Sequence, residues 1–131
     1  MPGSHMMKRM TNTLQSIRLP SYHEAARPGL LGVPARLVVF DTESGKIVAS
    51  PAMVEHTDDL FYDAGKGRIY VLGEGFIDVW RQMDPDHYDR IGRVATPTDS
   101  RTGLFVPDLG ELFETTPHGA QGAQIGVYSI Q

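Results

Sequence analysis

The fold is decided by the segment Leu60-Phe-Tyr-Asp-Ala-Gly-Lys-Gly-Arg-Ile-Tyr-Val-Leu-Gly-Glu-Gly-Phe-Ile-Asp-Val-Trp80. It contains three short apolar runs separated by two glycine-containing turns, 63–67 and 73–75. Runs rich in β-branched and aromatic residues and bounded by glycine are typical of β-strands. A fourth run, 88–95, follows a loop at 83–87. The segment therefore predicts four consecutive antiparallel strands joined by turns.

Similar short runs flank this segment on both sides. They lie at 37–40, 46–49, 103–106, 111–114 and 124–128. The stretch 114–122 makes the loop before the last run longer than the other connections. No sustained helical period is found after residue 30, so the sequence predicts an all-β fold.

Pairs of apolar residues recur along the chain at similar intervals. The matching pairs are Leu60-Phe61 with Leu104-Phe105 at 44 residues, Ile69-Tyr70 with Leu112-Phe113 at 43, Val39-Phe40 with Val79-Trp80 at 40, Val79-Trp80 with Val127-Tyr128 at 48, and Val48-Ala49 with Val94-Ala95 at 46. A period of 40–48 residues with four strands per unit is typical of β-propeller blades. The recurring aromatic residues are expected to form the core between blades.

Four segments carry a resemblance to a known family. They are Arg36-Leu-Val-Val-Phe-Asp-Thr-Glu-Ser-Gly-Lys-Ile-Val48, Thr57-Asp-Asp-Leu-Phe-Tyr-Asp63, Gly67-Arg-Ile-Tyr-Val71 and Arg101-Thr-Gly-Leu-Phe-Val-Pro107. Over about residues 33–130 the chain resembles the bacterial β-propellers with 40-residue YVTN-type repeats. The resemblance implies the outer two strands of one blade at 36–50, a complete blade at 57–96, and the inner three strands of another at 101–129.

The patterned part is too short to close a propeller by itself. It supplies about two and a half blades, whereas a closed ring needs at least about four. An open stack leaves an apolar face and unpaired strand edges in water. We therefore expect the chain to close the ring with copies of itself as a homodimer or homotrimer, or else to fold into something smaller than a propeller. The run Ser16–Leu19 is a candidate for the missing outer strand of an incomplete blade, in the same chain or in a neighbour.

Three regions follow from the composition. Residues 1–6 read as an expression-tag scar, residues 7–35 as an irregular segment with one short strand, and residues 36–131 as the propeller-like domain. The net charge of −4 argues against nucleic-acid and anionic-membrane partners. No cysteine is present, which excludes disulfides and thiolate metal sites. No signal-peptide or transmembrane pattern is found, and a cytoplasmic location is expected.

The candidate binding residues precede two predicted inner strands. His56, Asp58 and Asp59 precede the first, while Arg101 and Thr102 occupy the equivalent junction one repeat later. In a propeller this junction faces the central channel. The two aspartates can supply oxygen ligands, and Arg101 can clamp an anion or pair with an aspartate. The alternative interpretation is structural, with aspartate capping a turn and arginine forming an ordinary ion pair. Glu74, in the turn 73–75, is a further candidate at the channel mouth.

Two classes of function remain open from the sequence. The first is a non-enzymatic, self-assembling partial propeller that acts as a binding or scaffold module and presents its channel to a small-molecule or peptide ligand. The second is a metal-dependent or acid–base hydrolase, similar to lactonases with this fold, whose site is shared between subunits at the channel. No catalytic residue, resident metal or cofactor is predicted, because no motif selects one.

Overall fold

The computed structural model describes residues 17–18, 35–41, 44–119 and 122–131. Within these residues it contains ten strands and no helix, which confirms the all-β prediction. The strands are β1 (Ile17–Arg18), β2 (Val38–Phe40), β3 (Ile47–Ala49), β4 (Asp59–Asp63), β5 (Arg68–Gly73), β6 (Phe76–Asp84), β7 (His87–Ala95), β8 (Thr102–Val106), β9 (Glu111–Gly119) and β10 (Gly122–Ser129). Most of the predictions for residues 1–34 lie outside the described residues.

The strands form three antiparallel sheets. Sheet I has the order β1-β2-β3, sheet II the order β4-β5-β6-β7, and sheet III the order β8-β9-β10. Sheet II is the four-stranded unit predicted from residues 60–95, with each strand paired to the next along the chain. Gly67 and Gly75 turn two of its hairpins with positive φ angles of 59° and 79°. Glycine enters this backbone region without the steric penalty of a Cβ, so the turns can be tight.

Sheet II is packed between the other two sheets and is apolar on both faces. Ile69, Val71 and Trp80 pack with the core residues of sheet I. The residues between them, including Tyr70 and Leu72, pack with the core residues of sheet III. Since successive side chains of a strand point to opposite faces, the continuous buried run of β5 is what a strand between two sheets requires.

Sheet III is packed on one face only. The row Phe105–Leu112–Tyr128 crosses its three strands and contacts sheet II. The neighbouring row Leu104–Phe113–Val127 points the opposite way, and Leu104 and Val127 are 58% and 54% exposed. An exposed apolar row of this kind on a sheet is unusual when nothing covers it.

Strand β1 lies where a strand was predicted but not in the predicted position. The backbone of Ile17 pairs with Val39, and that of Arg18 with Val38. Because β3 pairs with the other edge of β2, β1 lies beside β2 as β5 lies beside β6. When β2 and β3 are matched to β6 and β7, β1 takes the position of β5, which is an inner strand. The predicted position was that of an outer strand.

Two predicted loops are shorter than expected because strand pairing continues into them. β6 and β7 extend to Asp84 and His87, which leaves only two residues between them. The expected long loop at 114–122 is instead a β9–β10 hairpin, with Thr116 paired to Gln124. Pro117 lies beyond the last β8–β9 pair, Thr102 with Thr115, so its missing N–H removes no ladder hydrogen bond to β8.

The registers also correct two of the predicted repeat intervals. The turns after β4 and β8 both contain four residues, so Tyr62 corresponds to Phe105 at 43 residues, and Leu60 does not correspond to Leu104 at 44. Ala49 pairs with Val39, and Gly92 pairs with Val79, which is the counterpart of Val39. Ala49 therefore corresponds to Gly92 at 43 residues, and not to Ala95 at 46. The intervals of 40, 43 and 48 residues for the other three pairs agree with the registers.

Candidate functional site

The loop before β4 is held tightly against the end of sheet II. The Val54 amide donates to Asp78 at 2.7 Å, and the Ala35 amide donates to the Glu55 carboxylate at 3.1 Å. The Glu55 carbonyl accepts from the Glu74 amide at 3.0 Å. A Cβ at Gly73 would lie only 2.5 Å from a Val54 methyl carbon, so this approach requires glycine. The loop is therefore a rigid platform for the side chains that leave it.

Asp78 anchors this platform as a fully buried carboxylate. It accepts the Val54 amide and two hydrogen bonds from Arg93, from Nε at 2.6 Å and from Nη2 at 2.9 Å. This bidentate bond raises the pKa of Arg93. A buried carboxylate that accepts three hydrogen bonds from a guanidinium and a backbone N–H is a structural charge, because both of its oxygens are occupied.

His56 leaves the platform in an unusual backbone conformation. Its φ of 51° makes it the one non-glycine residue with a positive φ in the described parts of the chain. Its imidazole Nε2 lies 3.7 Å from Glu74 Oε2, and both side chains are exposed. A histidine in the left-handed region costs about 1 kcal/mol or more, and such strain is concentrated at functional sites. His56 and Glu74 are thus presented to solvent as a pair.

Asp58 and Arg101 join the loops that precede β4 and β8. Arg101 Nε lies 3.6 Å from Asp58 Oδ2, and about half of each side chain is exposed. An exposed ion pair of this length contributes at most about 1 kcal/mol. The predicted contact between Arg101 and an aspartate of the first junction is therefore present, in the form of an ordinary ion pair.

Asp59 and Thr102 do not enter the same cluster. Asp59 Oδ2 accepts the Gly103 amide at 2.8 Å and so links sheet II to sheet III. Thr102 is exposed, and its carbonyl accepts the Thr115 hydroxyl at 3.1 Å. Of the five predicted residues, the structure brings Asp58 and Arg101 into direct contact, while the others lie along the same end of the sheets.

A metal centre is not assembled at this end. Within the described residues, no group of three or more histidine, aspartate or glutamate side chains is placed to hold a metal ion. The arrangement offers one exposed ion pair, Asp58 with Arg101, and one exposed histidine–carboxylate pair, His56 with Glu74, which suits recognition of a charged or hydrogen-bonding ligand. Ligand binding by His56, Asp58, Asp59, Arg101 and Thr102 stays a prediction.

The structure adds a buried polar cluster that the sequence reasoning missed. Glu114 is only 1% exposed, and neither carboxylate oxygen has a hydrogen-bond partner among the described residues. Burial raises its pKa to about 7. The Thr96 hydroxyl opposes part of this rise, although it forms no hydrogen bond of proper geometry with the carboxyl. Two residues further along β9, the buried hydroxyl of Thr116 forms a hydrogen bond with that of Ser100, which lies in the connection before β8.

Within the described residues, two open cavities border sheets II and III, the first beside β10 and the second at the β4–β5 and β8–β9 turns. One, of about 360 Å³, has mostly apolar walls that include Val79, Val94 and Tyr128. The other, of about 460 Å³, is lined by the turn residues Asp63 and Lys66 among others. Neither is lined by any of the five predicted residues.

Comparison with known proteins does not place the chain in a family. Protein-family models, curated proteins and solved structures gave no match. The described residues also include no helix with the length and apolar character needed to cross a membrane.

Proposed function

We propose that the chain is a partial β-propeller that assembles with copies of itself and acts as a binding or scaffold module. Each of the three sheets is a blade in this proposal, and sheet II is the complete one. The observation that carries it is the difference between sheets II and III. Sheet II is covered on both faces, whereas sheet III presents an exposed apolar row on the side away from sheet II.

The exposed row has a direct counterpart in sheet II. Phe61, Tyr70 and Val79 lie opposite one another across three strands. They correspond in register to Leu104, Phe113 and Val127, and all three pack with the core that sheet III completes. The row in sheet II is thus buried by the next sheet in the stack. The same row in sheet III requires an equivalent sheet, which a second copy of the chain supplies.

The edge of sheet III supports the same conclusion. Sheet II has a fourth strand, β7, whereas β10 is the last described strand of sheet III. Val94 of β7 is therefore 42% exposed and lines the apolar cavity beside β10. A strand added to β10 by a neighbouring copy would cover Val94 and satisfy the free edge.

Contacts of this kind are heterologous, because the face of sheet III differs from the surface that it meets on the next copy. Heterologous contacts form rings when the rotation closes. With about two and a half blades per chain, two or three chains reach the size of a propeller. The sheet ends that carry His56, Asp58, Asp59, Arg101 and Thr102 then surround the axis, where a small-molecule or peptide ligand would bind.

The test replaces one residue of the exposed row by lysine. Leu104→Lys places a charge in the proposed contact, and we expect the mass measured by light scattering on a sizing column to fall to that of one chain. Leu109→Lys is the matched control, because Leu109 is 64% exposed but lies in the β8–β9 turn. A Leu104→Lys protein with unchanged assembly would refute the role of this face. Far-ultraviolet circular dichroism confirms that both variants keep their strands.

A further inference from the structure

The two sheet–sheet interfaces each contain a buried carboxyl, and their environments are opposite. Asp78, between sheets I and II, accepts hydrogen bonds from Val54 and Arg93. Glu114, between sheets II and III, has no such partner among the described residues. A buried carboxylate without a counter-charge costs several kcal/mol, and a carboxyl in this environment stays neutral by keeping its proton. The difference shows that Glu114 is not a second structural anchor of the Asp78 type.

The strand register places Glu114 in the sheet II–sheet III interface with little room around it. Glu114 follows the buried Leu112 by two residues, so both side chains point towards sheet II. Its cross-strand neighbours are Gly103 on β8 and Gly126 on β10. A Cβ at Gly126 would lie 3.1 Å from a ring carbon of Tyr128 and 3.2 Å from its hydroxyl oxygen, which shows that this side chain leans over the backbone beside Glu114. The carboxyl is thereby shielded from solvent.

Among the described residues, no lysine, arginine or histidine forms an ion pair with this carboxyl. Arg90 and Arg93 of β7 approach Asp78, which alternates with Ile77 and Val79 along β6 and therefore points away from sheet III. Arg68 of β5 lies on the same face as Tyr70, and its guanidinium donates to the Gln131 carbonyl at the other end of the strand. The remaining titratable or hydroxyl-bearing side chains on the Glu114 side are Asp59 and Asp63 of β4, Tyr70 of β5, Tyr128 of β10, and Thr96 and Ser100 of the 96–100 connection. None of this last group carries a positive charge.

We propose that Glu114 is a proton-binding site that controls how tightly sheet III packs on sheet II. With the proton bound, the carboxyl is neutral and the interface is closed. When the proton leaves, an uncompensated charge remains between the two sheets. The interface then opens enough to admit water, because hydration is the available way to stabilise that charge. The exposed row of Leu104, Phe113 and Val127 lies on the other face of sheet III. The same proton therefore also controls how rigidly sheet III holds this row in position.

The direction of the effect follows from the two states of the group. The pKa of Glu114 rises from the usual 4.5 to about 7 in the folded protein. The folded state therefore holds the proton more tightly than the unfolded state, and acid stabilises it. Stability is greatest below about pH 4.5 as far as this group is concerned, and it falls as the pH rises from there through about 7.

The direct test is a carboxyl-carbon NMR titration of the intact protein with labelled glutamate. We expect one glutamate, assigned to Glu114 by its loss in Glu114→Gln, to titrate with a midpoint near 7. A midpoint near the usual 4.5 would overturn the proposal. This measurement is made on the unchanged chain, so the folding of a variant does not limit it.

The coupling to packing is tested by urea unfolding at about pH 5 and about pH 8. We expect the urea midpoint of the wild type to fall between these pH values and that of Glu114→Gln to fall less. Glu111→Gln is the matched control, because Glu111 lies on the same strand and should keep the wild-type fall. The contribution of His87 to stability is also lost as the pH rises, but His87 is present in all three proteins. An equal fall in wild type and Glu114→Gln would refute the coupling.

Discussion

The carboxylate of Asp59 accepts a 2.8 Å hydrogen bond from the backbone amide of Gly103, which lies 44 residues further along the chain. This bond joins β4 of sheet II to β8 of sheet III. It is possible because Gly103 has no side chain: a Cβ there would overlap the carbonyl oxygen of Phe113 and come within 2.6 Å of a Leu72 methyl carbon. The packing of the two sheets at this end therefore depends on one glycine and one aspartate.

Gly103→Ala is expected to destabilise the protein by at least about 2 kcal/mol, because the backbone of β9 cannot move away without breaking the β8–β9 pairing. The free energy of unfolding in urea measures the effect. Gly92→Ala is the control, since the nearest atom to its Cβ would be Val79 Cβ at 3.9 Å, and it should change stability little. Equal effects of the two substitutions would contradict the steric requirement for glycine at position 103.

Asp78→Asn is expected to cost about 3 kcal/mol of unfolding free energy, because it leaves Arg93 without its partner in a partly buried position. Asparagine has the same shape as aspartate and keeps one oxygen that can accept from the Val54 amide. The loss of unfolding free energy therefore measures the contribution of the negative charge. Asp89→Asn, at an exposed position of the neighbouring strand β7, is the control and should be nearly neutral. A neutral Asp78→Asn would mean that the Asp78–Arg93 pair does not anchor the loop.

His87 and Asp84 form a local pair at the β6–β7 turn, with Nδ1 2.7 Å from Oδ1. The hydrogen bond that His87 donates to Asp84 raises the pKa of His87, and the hydrogen bonds that Asp84 accepts from the Asp86 amide and from His87 lower the pKa of Asp84. The histidine therefore contributes stability below its ordinary pKa of 6.5, and this contribution is lost as the pH rises through the higher folded value. Proton NMR should show His87 titrating above the ordinary value of 6.5, and Asp84→Asn should lower its midpoint towards that value. An unchanged His87 titration in Asp84→Asn would contradict the pairing.

The strands were largely predictable, because the local pattern determines them. Apolar runs separated by turn residues predicted the strands β2 to β10 without any tertiary information, whereas the connection that forms the β9–β10 hairpin was predicted to be a long loop. The repeat intervals were less predictable, since Leu60-Phe61 and Leu104-Phe105 match as letters while the registers match Phe61 with Leu104. A match between residue types does not show which face of the sheet each residue occupies. The face depends on the strand register, which is set by the number of residues in each turn.

The polar site was predictable only in part, because it depends on contacts between distant segments. The sequence suggested an arginine–aspartate contact, and the structure contains one between Arg101 and Asp58. It did not identify Glu114, although a signal was present. Glu114 follows Leu112 by two residues in a strand, so it shares the buried phase of that strand. Whether the Glu114 carboxyl finds a hydrogen-bond partner depends on the side chains of sheet II that face it. No local sequence pattern shows which side chains those are.

The central claim is that several copies of this chain form one closed assembly, and the most direct test is the absolute mass of the unmodified protein in solution. Light scattering on a sizing column at two protein concentrations should give a single species of two or three times 14.4 kDa. A compact species of 14.4 kDa at both concentrations would contradict the account. The exposed row of sheet III would then remain open in the native protein, and the placement of the binding residues around a shared axis would be wrong.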